Sequence, residues 1–255
     1  MNLSESNKTV FALCSHPDDA EFMCAGTLAL LHERGWQIQI ATMTPGDCGS
    51  VKHTRQEISN IRRNEAAASA KLLGGTYHCL ECDDVFIMYD KPTLLKVIEL
   101  VRKVRPTLVF APSPQDYFID HENTSKLVRT ACFSCGIPNV ETPSVQAYDF
   151  VPYLYYVDPC WTDIFGNEIQ PSMYVDISSV IKIKEQMLCC HESQRSWLKA
   201  HHGMDEYVDS MKRHAQKRGK EINCQYAEGF RQHLGQSYPQ DNILKKELSE
   251  LVIEK

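Results

Sequence analysis

Thr9-Val-Phe-Ala-Leu-Cys14, followed at once by Ser15-His16-Pro17-Asp18-Asp19, is the stretch of sequence that decides the fold. Its first part is a short, largely apolar run, which is typical of a strand buried on both faces of a parallel sheet. The proline and the two aspartates then end the strand. A helix is predicted from about Asp19 to Arg34, with Gly35 as the residue that stops it. A buried strand that leads directly into a helix is the first unit of an α/β fold.

The alternation of strand-like and helix-like segments continues along the chain. Further strands are predicted at 37–43, 76–80 and 107–111, and further helices at 55–73, 92–104 and 122–135. This order predicts an α/β protein with a Rossmann-like, mainly parallel sheet and helices on both faces, which makes three layers.

The second half of the sequence is less regular. Residues 146–156 are expected to hold one or two strands, 177–190 and 205–218 to be helical, and the tail from 241 to form a peripheral helix. A chain of 255 residues is compatible with one domain. We therefore predict a single domain over 1–255, with a core at about 9–150 and a C-terminal third, 151–255, that completes the substrate pocket.

Composition and charge exclude several classes of protein. The formal net charge is −6, so the chain lacks the basic excess with which proteins bind nucleic acid. The apolar runs are shorter than the ~18–20 residues that cross a bilayer, and no secretory signal is visible. The 11 cysteines are therefore expected to be free thiols in a reducing, cytoplasmic compartment. Their two Cys-x-x-Cys pairs, at 79–82 and 132–135, lie too far apart for a zinc ribbon. The glycine motifs that bind dinucleotides or nucleotide phosphates are absent.

Acidic residues and histidines follow the first and the fourth predicted strands. Those after the first strand are His16, Asp18, Asp19 and Glu21, and those after the fourth are Asp116, Asp120 and His121. In a doubly wound sheet of order 3-2-1-4-5, these two strands are neighbours at the point where the winding direction reverses. We therefore expect two imidazoles and several carboxylates to face each other across one crevice.

Two histidines and one aspartate of this crevice match a catalytic zinc site, which uses three protein ligands and leaves a fourth position open. His16 and Asp19 are three residues apart, so a tight turn can bring both to one ion, and His121 completes the set. Asp18 then points elsewhere, and a free carboxylate beside a metal can act as a general base. The alternatives are a solvated turn after the first strand and a simple helix cap at Asp120.

The motifs occur in an order that is characteristic of one protein family. The matching segments are Ser15–Glu21, Thr44–Gly49, Arg62–Gly74, Arg105–Phe110, Asp116–His121, Lys184, His191–Gln194 and Tyr226–Phe230. Together they span roughly residues 9–235, and the ordered set resembles the LmbE-like, or PIG-L, zinc-dependent N-acetylglucosaminyl deacetylases (N-deacetylases). The resemblance implies the hydrolysis of an N-acetyl or similar N-acyl amide, with an amino sugar as the usual substrate.

The resemblance also assigns roles to the metal-binding and catalytic positions. It implies one Zn²⁺ per chain, or another divalent metal, held by His16, Asp19 and His121. Asp18 and Asp120 would be catalytic. In this mechanism a metal-bound water attacks the amide carbonyl with Asp18 as its general base, and the metal stabilises the oxyanion.

Substrate-binding positions and partners follow from the same resemblance. Arg62 would hold the substrate, and Asp84, or Asp83 in its place, would bind sugar hydroxyls. His202, from an unusual run at 196–203, is added as a further substrate-binding candidate. The expected partner is a small-molecule N-acetylated sugar or conjugate, with neither nucleic acid nor a membrane involved. Because relatives are commonly assemblies, a homo-oligomer is expected.

One position departs from the family pattern. The common second motif is His-Pro-Asp-His, whereas this chain has Phe118-Ile-Asp-His121. Phenylalanine can neither stabilise a tetrahedral intermediate nor protonate an amine. His191, His201 and His202 are candidates to supply the missing group. The alternatives to an N-deacetylase are a metal hydrolase for another amide or ester, and a non-catalytic relative that binds metal or carbohydrate.

Aromatic residues surround a long loop predicted at 158–171. They are Tyr153, Tyr155, Tyr156, Trp161 and Phe165. Aromatic faces pack on apolar sugar surfaces, so one interpretation is a sugar-binding rim, and the other is a hydrophobic core or a subunit interface.

Overall fold

The computed structural model describes residues 8–159, 161–195 and 206–255. The strands are β1 (Thr9–Cys14), β2 (Gln37–Thr42), β3 (Thr76–Cys79), β4 (Leu108–Ala111), β5 (Tyr153–Val157), β6 (Met173–Asp176), β7 (Ala227–Gln232) and β8 (Val252–Glu254). The helices are α1 (Asp19–Met23), α2 (Ala25–Glu33), α3 (Arg55–Leu72), α4 (Lys91–Val104), α5 (Ile119–Ser134), α6 (Ile181–Cys189), α7 (Glu206–Glu221) and α8 (Ile243–Leu248). Short 3₁₀ turns, Ser178–Val180 and Ser249–Leu251, precede α6 and β8. None of the helices in these ranges combines the length and the apolar character needed to cross a bilayer.

One sheet runs through the described residues, with the strand order β3-β2-β1-β4-β5-β7-β6-β8. The pairs from β3 to β5 are parallel, and β7, β6 and β8 are each antiparallel to their neighbours. The predicted 3-2-1-4-5 order is confirmed, and with it the adjacency of β1 and β4. The sheet as a whole is mixed, because the C-terminal third adds antiparallel strands that the sequence pattern did not indicate.

Helices cover both faces of the sheet, so the predicted three-layer α/β architecture is confirmed. In β1, Val10, Ala12 and Cys14 pack in one hydrophobic cluster, while Phe11 and Leu13 pack in another. The first cluster includes residues of α2, α6 and α8, and the second includes residues of α4 and α5. Every residue of β1 is therefore buried, as expected for a strand that is covered on both sides.

The helix predicted from Asp19 to Arg34 is two helices, α1 and α2, which meet at Cys24. A contact from the C-terminal third explains why the second helix begins where it does. The carboxylate of Glu228, in β7, accepts hydrogen bonds from the backbone N–H groups of Gly26 (2.8 Å) and Thr27 (2.7 Å). These are donors that a helix N-terminus leaves without an internal partner.

Glu228 is also one half of a buried ion pair. Nζ of Lys184, in α6, lies 2.5 Å from its Oε1, and the two side chains are only 1% and 2% exposed. Nζ of Lys184 donates a second hydrogen bond to the carbonyl oxygen of Phe22 (2.8 Å). The antiparallel part of the sheet is thereby fixed to the two helices that follow β1.

Candidate active site

The turn after β1 is closed by a carboxylate. Oδ2 of Asp19, the first residue of α1, accepts hydrogen bonds from the backbone N–H groups of Ser15 (3.0 Å) and His16 (2.9 Å). Within this turn Asp18 has a φ of 100°, a left-handed conformation that is uncommon outside glycine, asparagine and aspartate. Strained backbone of this kind is concentrated at functional sites. The side chains of His16, Asp18 and Asp19 line one cavity.

A second carboxylate fixes the loop that leads into α5. Oδ1 of Asp116 accepts a hydrogen bond from the backbone N–H of Phe118 (3.0 Å), and its Oδ2 lies 3.0 Å from Nδ1 of His121. Phe118 stacks on His16, with ring centroids 5.2 Å apart and planes 10° from parallel. The loop after β4 therefore faces the turn after β1, as the strand order requires.

His16, Asp19 and His121 bring three donor atoms within 4.8 Å of one another. The carboxylate of Asp19 lies between the imidazoles, with Oδ2 3.7 Å from Nδ1 of His16 and Oδ1 3.7 Å from Nε2 of His121. Two imidazoles and a carboxylate are a donor set suited to a catalytic zinc. The donor set and its spacing therefore fit one divalent ion.

In each imidazole, the nitrogen that does not face Asp19 contacts another carboxylate. Nε2 of His16 lies 3.2 Å from Oδ2 of Asp120 and 3.1 Å from Oδ1 of Asp84. Nδ1 of His121 lies against Asp116. An imidazole that donates its N–H to a carboxylate presents a lone pair on its other nitrogen, and metal-binding histidines are typically oriented in this way. The tautomers that these contacts favour leave Nδ1 of His16 and Nε2 of His121 to face the shared space.

Two further groups of donors lie close together in the described part of the chain. His16 with Asp84 and Asp120 forms one, and Asp47 with Cys48 and Asp84 forms the other. Neither group contains two imidazoles. The first also uses the nitrogen of His16 that its carboxylate neighbours already occupy, so the set with His121 is the better candidate for zinc.

The acidic surroundings raise the pKa of both imidazoles. Burial alone would lower the pKa of His16, but hydrogen bonds to Asp120 and a second aspartate, and the charge of Asp19, raise it to about 10. Burial would also lower the pKa of His121, and the charge of Asp19 and the contact with Asp116 raise it above its ordinary value. The negative potential that holds protons on these rings would equally attract a divalent cation.

Asp18 is a carboxylate that neither imidazole contacts. Its Oδ2 accepts a hydrogen bond from the hydroxyl of Tyr207 and lies 3.5 Å from Nη2 of Arg62. Burial raises the pKa of Asp18 above its ordinary value, although the positive charges of Arg62 and His191 oppose the shift. A carboxylate with a raised pKa is suited to accept a proton and to return it.

Arg62 is fixed by backbone carbonyl groups. Nη2 donates to the carbonyl oxygen of Pro17 (2.6 Å) and Nη1 to that of Gly46 (3.4 Å), and the side chain is buried. Gly46 has a φ of +70°, and a Cβ at this position would come within 2.2 Å of Nη1. The loop after β2 therefore closes around the guanidinium, which lines the cavity and holds Asp18 at the same time.

The cavity has a volume of about 520 Å³ and two kinds of lining. Its acidic side chains are Asp18, Asp19, Asp84, Asp116 and Glu206. Its large apolar side chains include Phe22, Met23, Val85, Phe118 and Trp161. The same cavity is thus lined by the acidic cluster that could bind a metal and by an apolar surface.

The structure places most of the predicted site residues in this cavity. His16, Asp18, Asp19, Arg62, Asp84 and His121 all line it. Asp120 does not, because it is fully buried and accepts hydrogen bonds from the backbone N–H groups of Val85 (2.9 Å) and Ile87 (3.4 Å). Its carboxylate contacts Nε2 of His16 and does not reach the cavity. His202, like His201, lies outside the described residues.

Asp84 and Asp83 have different surroundings. The carboxylate of Asp84 accepts a hydrogen bond from the backbone N–H of Cys48 (3.2 Å) and contacts His16, so it forms part of the cavity wall. The side chain of Asp83 is 72% exposed and is paired with Arg55, away from the cavity. Of the two, Asp84 is therefore the one placed to meet a substrate.

Asp116 and Tyr207 belong to the site, although sequence reasoning gave neither a role. Asp116 was expected in the crevice, and its position five residues before His121 was an available signal. Tyr207 had no such signal. It lies in α7, 189 residues after the aspartate that its hydroxyl contacts.

His191 lies behind the cavity and does not line it. The side chain is fully buried, with Nε2 3.4 Å from Oε1 of Glu21, which also accepts a hydrogen bond from Oγ of Ser69 (2.6 Å). Burial would lower the pKa of His191, but the charge and contact of Glu21 and the charge of Asp18 raise it. The positive charge of His191 offsets part of the negative charge of Asp18. Because its side chain does not line the cavity, His191 is not placed to supply the group that is missing at Phe118.

The aromatic residues near the long loop divide into core and surface. Tyr153, Tyr155 and Tyr156 are buried in β5 and belong to the hydrophobic core. Trp161 is 60% exposed and lines the cavity, whereas Phe165 is 82% exposed and does not. Only Trp161 of this set is therefore placed to meet a ligand in the cavity.

Comparison with known proteins matches the chain to a de-N-acetylase family model, a deacetylase and a hydratase. The family model described as PIG-L, GlcNAc-PI de-N-acetylase, matches residues 11–132. The diacetylchitobiose deacetylase of Thermococcus kodakarensis is 27% identical over 202 residues, which cover 73% of this chain and 70% of that protein. The 4-oxalmesaconate hydratase of Pseudomonas putida is 26% identical over 208 residues, which cover 76% of each chain.

A solved structure shows the same fold. The N,N'-diacetylchitobiose deacetylase from Pyrococcus horikoshii superposes with a TM-score of 0.77 at 24% identity, over 89% of this chain and 84% of that chain. The proteins that this chain resembles thus include deacetylases and a hydratase.

Proposed function

We propose that this chain, whose residues 11–132 match the PIG-L, or LmbE-like, family model, is a zinc-dependent hydrolase. The reaction is removal of an N-acetyl, or similar N-acyl, group from a small amino-sugar compound. One observation carries the proposal: Asp18, held by Tyr207 and Arg62, lies in the same cavity as the three-donor cluster. A protein that only bound a metal or a sugar would have no need of a strained carboxylate there. The diacetylchitobiose deacetylase from Thermococcus kodakarensis supports the same class of reaction.

The proposed ligands of the zinc are His16, Asp19 and His121. Asp116 and Asp120 would accept the remaining N–H of the imidazoles and keep their other nitrogens directed at the metal. When bound, zinc would polarise the amide carbonyl and acidify the attacking water.

Asp18 has the proposed role of general base and then general acid. It would accept a proton from water while the water oxygen bonds to the carbonyl carbon. It would return that proton to the amide nitrogen as the C–N bond breaks, which leaves acetate and a free amine. Phe118 has no proton to donate, and His191 does not line the cavity. We therefore assign both proton transfers to Asp18, whose carboxylate lies in the cavity beside Tyr207 and Arg62.

Acetate release tests this function. N-acetylglucosamine and N,N'-diacetylchitobiose would be incubated with zinc-loaded protein, and acetate would be measured against a protein-free blank. We expect the rate to fall about tenfold or more after dialysis against a chelator, and to recover with Zn²⁺ but not with Mg²⁺, which prefers oxygen ligands. Activity that survives metal removal would contradict the metal-dependent mechanism. Absence of release from every N-acyl amino sugar would contradict the substrate class.

Tyr207→Phe is expected to lower kcat/KM for acetate release roughly tenfold, because a hydrogen bond to a charged group is lost. The ring that packs against Phe22, with centroids 5.9 Å apart, stays in place, so the melting temperature should fall by only a few degrees. The measurement is initial rate against substrate concentration for wild type and variant. A kcat/KM within twofold of wild type would show that Asp18 does not depend on the hydroxyl.

A hydratase is the second candidate, because the relative from Pseudomonas putida is named a 4-oxalmesaconate hydratase. Its substrate, 4-oxalmesaconate, is an organic anion. The described lining of the cavity offers five carboxylates against Arg62, whose guanidinium already donates to two backbone carbonyl groups. Apart from the charge of a bound metal, like charges in this lining therefore disfavour an anionic substrate. Loss of the absorbance of a conjugated enol or diene acid, without any acetate release from sugars, would reverse this preference.

A reducing, cytoplasmic location is also proposed. The cysteines in the described residues are free thiols, and several, such as Cys14, Cys24 and Cys132, are buried in the core. Burial raises the pKa of these three thiols well above the ordinary value. They therefore behave as small hydrophobic side chains, which supports the proposal.

A further inference from the structure

We infer that the cavity contains a second subsite, beside the candidate metal ligands, that binds a flat apolar group of the substrate, above all an aromatic ring. Four residues form this apolar wall: Val85, Tyr117, Phe118 and Trp161. All four line the same cavity as His16 and Asp18. The inference rests on the proposed function and narrows its substrate class.

Three stacked rings lead from the candidate metal ligand to the surface. Phe118 lies parallel to His16, with centroids 5.2 Å apart, and Tyr117 stacks on Phe118 at 5.9 Å with planes 24° apart. The outermost ring, Tyr117, is 51% exposed. Offset stacking at these separations is a favourable arrangement of aromatic rings. A planar group on the substrate can therefore join the stack while its amide lies at the metal ligands.

The apolar wall leaves large side chains in contact with solvent. Trp161 is 60% exposed and Val85 is 48% exposed, although both border the cavity. Apolar surface that remains exposed at the edge of a concave site is characteristic of ligand-binding sites. Phe118 extends this surface inward, because it replaces a polar residue of the family motif with an apolar ring. The wall thus includes exposed side chains as well as Phe118, whose ring stacks on a proposed metal ligand.

The polar groups next to the wall favour an uncharged ligand group. Asp84 and Asp116 are held by the imidazoles, and Arg62 is held by backbone carbonyl groups. These residues offer no free cation to the wall, so an anionic group would gain little there. An aromatic ring needs no such partner. The ring can belong to the acyl group or to the amine side of the substrate, and both sources share the same chemistry.

Binding of paired ligands separates the two sources. On the acyl side, benzohydroxamate is compared with acetohydroxamate, since both bind zinc through the same atoms. On the amine side, the phenyl glycoside of N-acetylglucosamine is compared with the methyl glycoside, in an Asp18→Asn background that prevents turnover. Dissociation constants of zinc-loaded protein are measured by calorimetry. In at least one pair, we expect the aryl ligand to bind roughly fivefold to tenfold more tightly.

Variants of the exposed rings connect this preference to the apolar wall. Trp161→Ala and Tyr117→Ala are each expected to bring the aryl preference close to one, because they weaken binding of the aryl ligand more than binding of the methyl ligand. Phe165→Ala is the matched control, because this exposed ring lies outside the cavity and its loss should leave the preference intact. A melting temperature within a few degrees of wild type confirms the fold of each variant.

Two outcomes would overturn the subsite. One is equal affinity for aryl and methyl ligands in both pairs, and the other is an aryl preference that survives both substitutions. Binding is measured without turnover, so an aryl preference can be found even in protein that releases no acetate. Conversely, acetate release without aryl preference would leave the proposed function standing and remove only the subsite.

Discussion

Asp18→Asn is expected to lower kcat/KM for acetate release by roughly 10²–10⁴-fold, the range that a general base contributes. Asparagine has nearly the same volume, and its side-chain oxygen can still accept the hydrogen bond from Tyr207. It also tolerates the φ of 100° at this position, so the turn after β1 should keep its shape. What is lost is the ability to take a proton. The measurement is the initial rate of acetate release from zinc-loaded protein.

The Asp18→Asn experiment needs proof that the metal site survives. Zinc content by elemental analysis should equal that of wild type, because the three proposed ligands are unchanged. Asp209→Asn is the matched control: Asp209 lies on α7 beside Tyr207 but is exposed and outside the cavity, so its rate should equal that of wild type. If Asp18→Asn with full zinc content retained more than a third of the wild-type rate, another group would have to be the base.

Lys184→Met is expected to reduce the free energy of unfolding by roughly 3–5 kcal/mol, the usual cost of leaving one charge of a buried pair without its partner. Glu228 would remain 2% exposed, with the amide groups of α2 as its donors. For a chain of this size, such a loss lowers the melting temperature on the order of 10 °C. Differential scanning calorimetry, or urea unfolding where heating is irreversible, gives the value.

Two further variants separate charge burial from loss of the lysine side chain. Lys217→Met removes the cation of an exposed pair with Glu168, and little change in melting temperature is expected because solvent screens such pairs. Adding Glu228→Gln to Lys184→Met removes the unpaired charge, so the double variant should regain part of the lost stability. Equal destabilisation by Lys184→Met and Lys217→Met would show that the buried ion pair contributes no more to the free energy of unfolding than the exposed pair.

The parallel half of the fold follows from local sequence, and the antiparallel part does not. A strand such as β1 is covered on both faces, so its apolar run is visible without knowledge of its neighbours. β7 contains Glu228, Gly229 and Arg231, which hide it from any hydrophobic pattern. Those polar side chains are accommodated by partners elsewhere in the chain: Glu228 by α2 and Lys184, and Arg231 by Gln115 and Ser113. Such a strand becomes predictable only once its partners are known.

In the candidate site, too, some residues could be predicted from short local motifs and others only from contacts that form after folding. The sequence alone predicts that His16, Asp19 and His121 lie close together. Each belongs to a short motif that directly follows one of two adjacent strands. The roles of Asp120 and Tyr207 depend on which side chains face them after folding. Asp120 lies one residue before a proposed ligand, yet α5 turns it away from the cavity and towards the rear of His16. Spacing alone does not distinguish a residue that meets the substrate from one that holds a ligand in place.

The cap of α2 has a consequence for how the chain is made. Gly26 and the carboxylate that it donates to are 202 residues apart in sequence. A growing chain therefore exposes the N-terminus of α2 without its cap until Glu228 has been synthesised. The site after β1 lies one short helix upstream of that cap. Its final geometry is thus expected only in chains that extend past Glu228, and a product that ends before that residue would carry the metal-binding motifs without the assembled site.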